Sequence, residues 1–182
     1  MAVVLLLNFS STFSAQAQIT FERYYDFGFT EEGYDVVESS DGGYVICGQQ
    51  RLTIGESQIV LLKVDSLGNQ QWVKFYGGPA ENKVVAITRT FDNGYLIAGH
   101  TSSLDYKYYP YLIRTDSIGD TLWTTTKLSP IPILNPGDYG NGGCTDVIEA
   151  RDSSIYILSQ VADYDTATVF FLCKLQLGGD TI

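Results

Sequence analysis

The sequence predicts an all-β protein made of repeated four-stranded antiparallel units, and three observations predict it. The first is a recurring element. Asp65-Ser66-Leu67-Gly68-Asn69-Gln70-Gln71-Trp72 returns 51 residues later as Asp116-Ser117-Ile118-Gly119-Asp120-Thr121-Leu122-Trp123. Each copy follows an apolar run with a basic residue near its end, Ile59 to Lys63 and Leu112 to Arg114. An apolar strand, an Asp-x-x-Gly turn and a Trp on the returning strand form a β-hairpin signature, and a fixed period near 51 marks a repeat array. The second is composition: 13 Tyr, 18 Gly and a single Met, with 45% apolar residues, which favours strands over helices. The third is the pattern within a repeat. Tyr44-Val45-Ile46-Cys47 and Ile59-Val60-Leu61-Leu62 are apolar on both faces, so both faces of these strands must be covered. Four-stranded units sandwiched between copies of themselves are the blades of a β-propeller.

Residues 1 to 17 stand apart. Ala2 to Leu7 with Phe9 form an apolar core, and Ala15-Gln16-Ala17 is a small-x-small cleavage site that makes Gln18 the mature start. No Lys or Arg precedes the apolar run, the one element of a secretory signal peptide that is missing. The segment is too short and too polar after Leu7 to span a bilayer, so the mature chain is expected to carry no membrane span.

The blades follow in order. Phe21 and Tyr25 lie 51 residues before Trp72 and Tyr76, so 18–25 reads as a lone fourth strand that closes a ring. The first blade, 26–76, has strands near 34–39, 43–49, 58–65 and 69–76. Its first turn is Ser40-Asp41-Gly42-Gly43, a tight glycine turn. The second blade, 77–128, repeats the turn as Asp92-Asn93-Gly94-Tyr95. The third, 129–182, carries Asp152, Ile157, Leu172 and Lys174 where the first has Asp41, Ile46, Leu61 and Lys63. A nine-residue insertion precedes Asp146 and contains the Pro-rich stretch Pro130 to Gly137. The third Trp would fall at 183, one past Ile182. About three blades are thus present, the ring is incomplete, and the chain reads as a fragment of a longer protein.

These residues resemble the repeats of secreted β-propeller proteins of Gram-negative bacteria that use type IX secretion. Those repeats read Asp-Gly-Gly-Tyr, an apolar strand ending in Gly, then Lys-x-Asp-x-x-Gly-x-x-x-Trp. The match runs through Asp41 to Gly48, Lys63 to Trp72, Asp92 to Gly99 and Arg114 to Trp123. The third repeat departs from it, with Ser153-Ser154-Ile155 for Gly-Gly-Tyr and Gln176 for Asp. The Asp-x-x-Gly-x-x-x-Trp element is also similar to quinoprotein-type blades, where the resemblance implies a docking Trp and no cofactor contact. The resemblance implies passage through the periplasm to the outer surface or the medium.

The chemistry-bearing residues are few. Trp72 and Trp123 read as wedges between blades. Asp41, Asp65, Asp92 and Asp116 each precede a turn glycine and read as turn caps. His100 is the only histidine, so a histidine-rich zinc site is excluded, and no nucleophile-elbow motif accompanies it. Cys47 and Cys173 align with apolar residues of other repeats and read as small core hydrophobes; Cys144 lies by the insertion. With three cysteines no bridge can be assigned. Asn135, Asp138 and Asn141, and Asp163 with Asp165, are oxygen-rich loop clusters. They match no EF-hand, so solvated loops compete with a Ca2+ site at Asp138, Asp163 and Asp165. Net charge is −10, which argues against a nucleic-acid partner.

Strand alternation places the turns at Asp41, Asp65, Asp92 and Asp116 at one end of the blades. The connections 50–57, 77–82, 101–109, 129–144 and 161–167 fall at the other. That second end holds Tyr106, Tyr108, Tyr109, Tyr139 and Tyr164, side chains suited to the apolar faces and hydroxyl edges of sugars. The functional expectation is an exported or cell-surface interaction or adhesion module for protein or glycan, a monomeric ring when complete, with no catalytic activity in this stretch. The alternatives are a spacer that carries other domains and a propeller enzyme, glycan-active or quinoprotein-like, whose catalytic residues lie in further blades.

Overall fold

The computed structural model describes residues 21–102, 108–126, 143–162 and 168–175. Within them the chain is all-β, with eleven strands in three antiparallel meanders and no helix. The first sheet runs β1 (Thr30–Glu38), β2 (Tyr44–Thr53), β3 (Glu56–Val64), β4 (Gln70–Tyr76). The second runs β5 (Asn82–Arg89), β6 (Tyr95–Ser102), β7 (Tyr108–Thr115), β8 (Thr121–Thr125). The third has three described strands, β9 (Gly143–Glu149), β10 (Ile155–Ala162) and β11 (Thr168–Leu175).

Turn chemistry sets these boundaries. The β1–β2, β5–β6 and β9–β10 turns each need one residue in the left-handed region: Gly42 (φ 79), Asn93 (φ 66) and Ser153 (φ 62). Glycine adopts that backbone freely and asparagine fairly readily, whereas a serine does so at a cost. The third repeat keeps the turn geometry although it lacks the glycines. Irregularities also recur in register. Tyr34, Val85 and Thr145 are the extra residues of bulges in β1, β5 and β9, and Gln71 and Leu122 those of β4 and β8. A bulge resets which face a side chain takes. Across the one in β5, Val84 and Ile87 face the first sheet while Ala86 faces the third.

The sheets stack front to back, with β5 against β1, β2 and β3, and β9 against β5, β6 and β7. Between the first two lie Val45, Cys47, Ile59 and Leu61 against Tyr95, Ile97 and Ile113, with Trp72 at the margin. Between the next two lie Leu96, Ala98 and Leu112 against Ile155, Ile157, Cys173 and Leu175, with Trp123 at the margin. Each sheet therefore presents the same repeat positions forward and the same positions backward. The middle sheet is apolar on both faces because it has a neighbour on both. Cys47, Cys144 and Cys173 are all free thiols buried in these two layers.

Two expectations need correction. Residues 50–57 are no long loop: β2 and β3 continue through them to a two-residue turn, Ile54-Gly55, where Gly55 has φ 81. The polar run Gln49-Gln50-Arg51 pairs through its backbone with Ile59, Gln58 and Ser57, a bond that no apolar pattern reveals. The segment preceding β1 forms no strand over 21–27, and residues 19–20 lie outside the described residues. It nonetheless holds the position of a fourth strand. The Tyr25 hydroxyl donates to the Gly68 carbonyl at 2.8 Å, as Tyr76 donates to Gly119 at 2.6 Å. Phe21 and Arg23 lie against Gly68 as Trp72 and Lys74 lie against Gly119.

Candidate functional site

The two ends of the stack differ in chemistry. At one end are the aspartate turns. Asp41 accepts the Gly43 N–H at 3.0 Å, Asp92 that of Gly94 at 3.2 Å and Asp152 that of Ser154 at 3.1 Å. Asp65 accepts from Leu67 and Asn69, and Asp116 from Ile118 and Asp120. These carboxylates cap turns, as their sequence positions imply. Hydrogen bonds from the Asn69 side chain and backbone hold Asp65 below the usual carboxylate range. For Asp41 the Ser39 hydroxyl acts first and then the Lys63 ammonium.

The basic residue of each repeat completes these turns, a role the sequence pattern did not suggest. Lys63 Nζ lies 2.9 Å from Asp41, Arg114 Nη2 lies 2.8 Å from both oxygens of Asp92, and Lys174 Nζ lies 3.5 Å from Asp152. Lys63 and Arg114 are buried, whereas the Lys174 side chain is 42% exposed. The stacking explains the difference: Lys63 and Arg114 lie on forward faces that the next sheet covers, whereas no described sheet covers the forward face of the third. Lys63 Nζ also lies over Gly43, where a Cβ would come within 2.5 Å of it, and the third repeat has Ser154 there and a Lys174 ammonium 5.5 Å from the Tyr156 ring centre. The signal that could have found the pairing is the 22-residue spacing of Asp to base in all three copies. This end is fully engaged in holding turns.

The other end carries the β2–β3 turn and the 77–81 connection, and hydrogen bonds knit them together. Gln49 Nε2 donates to Ser57 Oγ at 2.7 Å, and Ser57 Oγ meets the Asn82 backbone at 2.9–3.0 Å. Asn82 Nδ2 donates to the carbonyls of Ser57, Gly78 and Ala80, while its Oδ1 accepts from Thr101. Asn82 is buried and fully used, which fixes the connection to both sheets. Beside it the Tyr34 hydroxyl donates to Glu32 at 2.7 Å, Arg51 pairs with Glu32 at 3.1 Å, and the Lys83 ammonium lies 5.5 Å from the Tyr34 ring centre. Burial, then the Glu32 hydrogen bond, pushes the Tyr34 phenol up to about 12, so it stays a donor. A cleft of about 530 Å3 opens here, lined among others by Gln49, Arg51, Glu56, Ser57 and Glu81.

Of the tyrosines singled out in the sequence, Tyr109 lies in β7 opposite Thr101 and is half-buried; Tyr108 is opposite Ser102. Thr101 bonds Asn82, which places Tyr109 and the cleft in one neighbourhood. Tyr106, Tyr139, Tyr164, Asp138, Asp163 and Asp165 lie outside the described residues. Among the described residues no three His, Cys, Asp or Glu side chains are grouped to hold a metal. His100 packs against Gly143, and burial, then the Lys83 charge, lowers its pKa. It is a neutral imidazole at pH 7. The exposed Arg51 guanidinium and the Glu56 carboxylate can exchange hydrogen bonds with a polar ligand, whereas Gln49 and Ser57 are buried and spent on Tyr34, Asn82 and each other.

No protein-family model matches the chain, and no curated protein matches it.

Proposed function

We propose that the chain forms blades of an exported β-propeller that binds glycan or protein at the end carrying the β2–β3 turn, the 77–81 connection and Tyr109. The observation that carries this reading is the front-to-back stacking of meanders at a fixed repeat, first strands adjacent, with a polar cleft at the end opposite the aspartate turns. Rigid strands with a polar cleft at one end are a common base for recognition. The Arg51 guanidinium and the Glu56 and Glu81 carboxylates around the cleft suit the hydroxyls of a sugar, with Tyr109 nearby as an aromatic face. A net charge of −10 disfavours anionic ligands. The Ala15-Gln16-Ala17 pattern supports export, and the repeat motif supports a place among type IX-secreted propeller proteins.

Glycan-array binding tests the proposal. Binding should fall at least tenfold when Arg51 and Tyr109 are both changed to Ala and should survive Asp116→Asn at the opposite end. A folded double variant that binds as well as the parent removes this end from the function. Mass spectrometry of exported protein should find an N-terminus at Gln18.

A further inference from the structure

The cleft beside the β2–β3 turn offers a ligand little of its floor. Gln49 and Ser57 are buried there, and their polar atoms bond Tyr34, Asn82 and each other. Asn82 is buried as well and bonded on both sides of its amide. What remains for a ligand is the rim, and the rim is chemically mixed. Arg51 and Glu56 are exposed, and Leu52 and Ile54 lie between them in the chain. All four line the cleft of about 530 Å3.

Neither aliphatic residue belongs to a core layer. Ile54 is fully exposed in a two-residue turn, a place that ordinarily goes to Gly, Asn or Asp. Leu52 is the extra residue of a bulge in β2, set between the Arg51–Ser57 and Thr53–Glu56 pairs. A bulge re-aims side chains, and this one leaves Leu52 half-buried at the cleft. The polar rim groups are of opposite kinds. Arg51 gives Nη2 to Glu32 at 3.1 Å, and a guanidinium carries further N–H donors. Glu56 accepts from the Thr53 hydroxyl through Oε2 at 3.2 Å, and a carboxylate accepts several bonds. The rim is ordered before any ligand arrives: Ser57 N–H donates to the Ala80 carbonyl at 3.1 Å, and Asn82 Nδ2 ties Ser57 to Gly78 and Ala80. A preformed rim loses little entropy on binding.

One donor, one acceptor and an aliphatic patch are what an acetamido group uses. Its carbonyl oxygen takes a guanidinium N–H, its own N–H gives to a carboxylate, and its methyl group leaves water for aliphatic carbon. We infer that the cleft takes the acetamido group of an N-acetylated amino sugar. Arg51 donates to the carbonyl oxygen, Glu56 accepts the amide N–H, and Leu52 and Ile54 cover the methyl. The assignment rests on the reading of this end as glycan-binding and names which glycan. A free amino sugar would bring a cation beside Arg51, and a plain hydroxyl would leave Leu52 and Ile54 in water.

Calorimetry and saturation-transfer NMR on the full chain test this with disaccharides that differ only at the 2-position: N,N′-diacetylchitobiose, its de-N-acetylated form and cellobiose. The acetylated sugar should bind about tenfold more tightly than either of the others, and its methyl protons should receive the strongest saturation. Ile54→Asn puts a favoured turn residue at an exposed tip; it should leave the melting temperature unchanged and erase the preference. A preference that survives Ile54→Asn would overturn the placement of the methyl group. Equal binding of all three sugars, lost on changing Arg51 and Tyr109 to Ala, would overturn the acetamido assignment alone. Binding of none of them, with a silent glycan array, would remove the glycan reading of this end together with it. An Nε-acetyl-lysine peptide that binds as tightly as the disaccharide would overturn the sugar.

Discussion

The three aspartate–base pairs form an internal series in which burial of the base, and not the turn itself, should decide the cost of removing the carboxylate charge. Asp→Asn is the perturbation, since an amide oxygen still caps the turn. At Asp92 the change strands a guanidinium whose side chain is 4% exposed and removes two 2.8 Å charge-assisted contacts. Breaking a fully buried pair costs about 3–5 kcal/mol. Asp92 itself is 59% exposed, so water partly replaces the carboxylate and about 2 kcal/mol is the reasoned value. Asp41→Asn should cost a similar or slightly smaller amount, about 1–2 kcal/mol, because Lys63 keeps a bond to the Val64 carbonyl. Asp152→Asn should cost least, since an amide oxygen keeps the Ser154 cap and Lys174, 42% exposed, is already partly solvated. For a chain of this size about 2 kcal/mol lowers the melting temperature by about 4–8 °C. Urea unfolding followed by Trp fluorescence, at one protein concentration because association shifts apparent stability, measures all three. Equal losses across the series, or a loss at Asp152 as large as at Asp92, would refute the argument from burial.

Acid should act through the same turns. Folding holds Asp41, Asp65, Asp92 and Asp152 below their ordinary pKa, so their contribution is present above the unfolded value of about 3.9 and is lost as pH falls below it; unfolding midpoints should be flat from neutral pH to about 5 and drop below about 4. Ser153→Gly should stabilise the chain by roughly 1 kcal/mol, because Ser153 holds a φ of 62° that glycine adopts without strain; a destabilised variant would show that the serine side chain matters more than its backbone. Tyr76→Phe should cost about 1–2 kcal/mol through the buried Gly119 carbonyl it leaves unpaired, and Tyr25→Phe less, since its bond to Gly68 is only half-buried; the reverse order in denaturant melts would contradict the equivalence of the two segments. Burial pushes the Cys47 thiol up to about 12 and that of Cys144 to about 11, so both should resist thiol reagents at pH 8 until the protein unfolds.

The sequence by itself determined the strand order and the aspartate turns between strands. Those depend on short-range chemistry: Asp two residues before a backbone N–H, glycine where φ is positive, apolar residues on both faces of β2, β3, β6 and β7. The 51-residue period likewise announced that the same unit recurs. Part of the candidate site was legible too, since strand alternation alone sets the aspartate turns opposite the connections. Only the tertiary structure decided the rest, because it depends on neighbours distant in the chain. Lys63 and Asp41 are 22 residues apart and meet where Gly43 lacks a Cβ. The β5 bulge, whose position no hydrophobic pattern marks, lets Val84 and Ile87 face one sheet and Ala86 the other. Gln49, Ser57 and Asn82 build a buried network from polar residues that read as surface in the sequence. The segment 21–25 takes a fourth strand's place through one hydroxyl and the flat face of Gly68. Periodicity reports which residues need burial; which surface buries them is settled when the sheets stack.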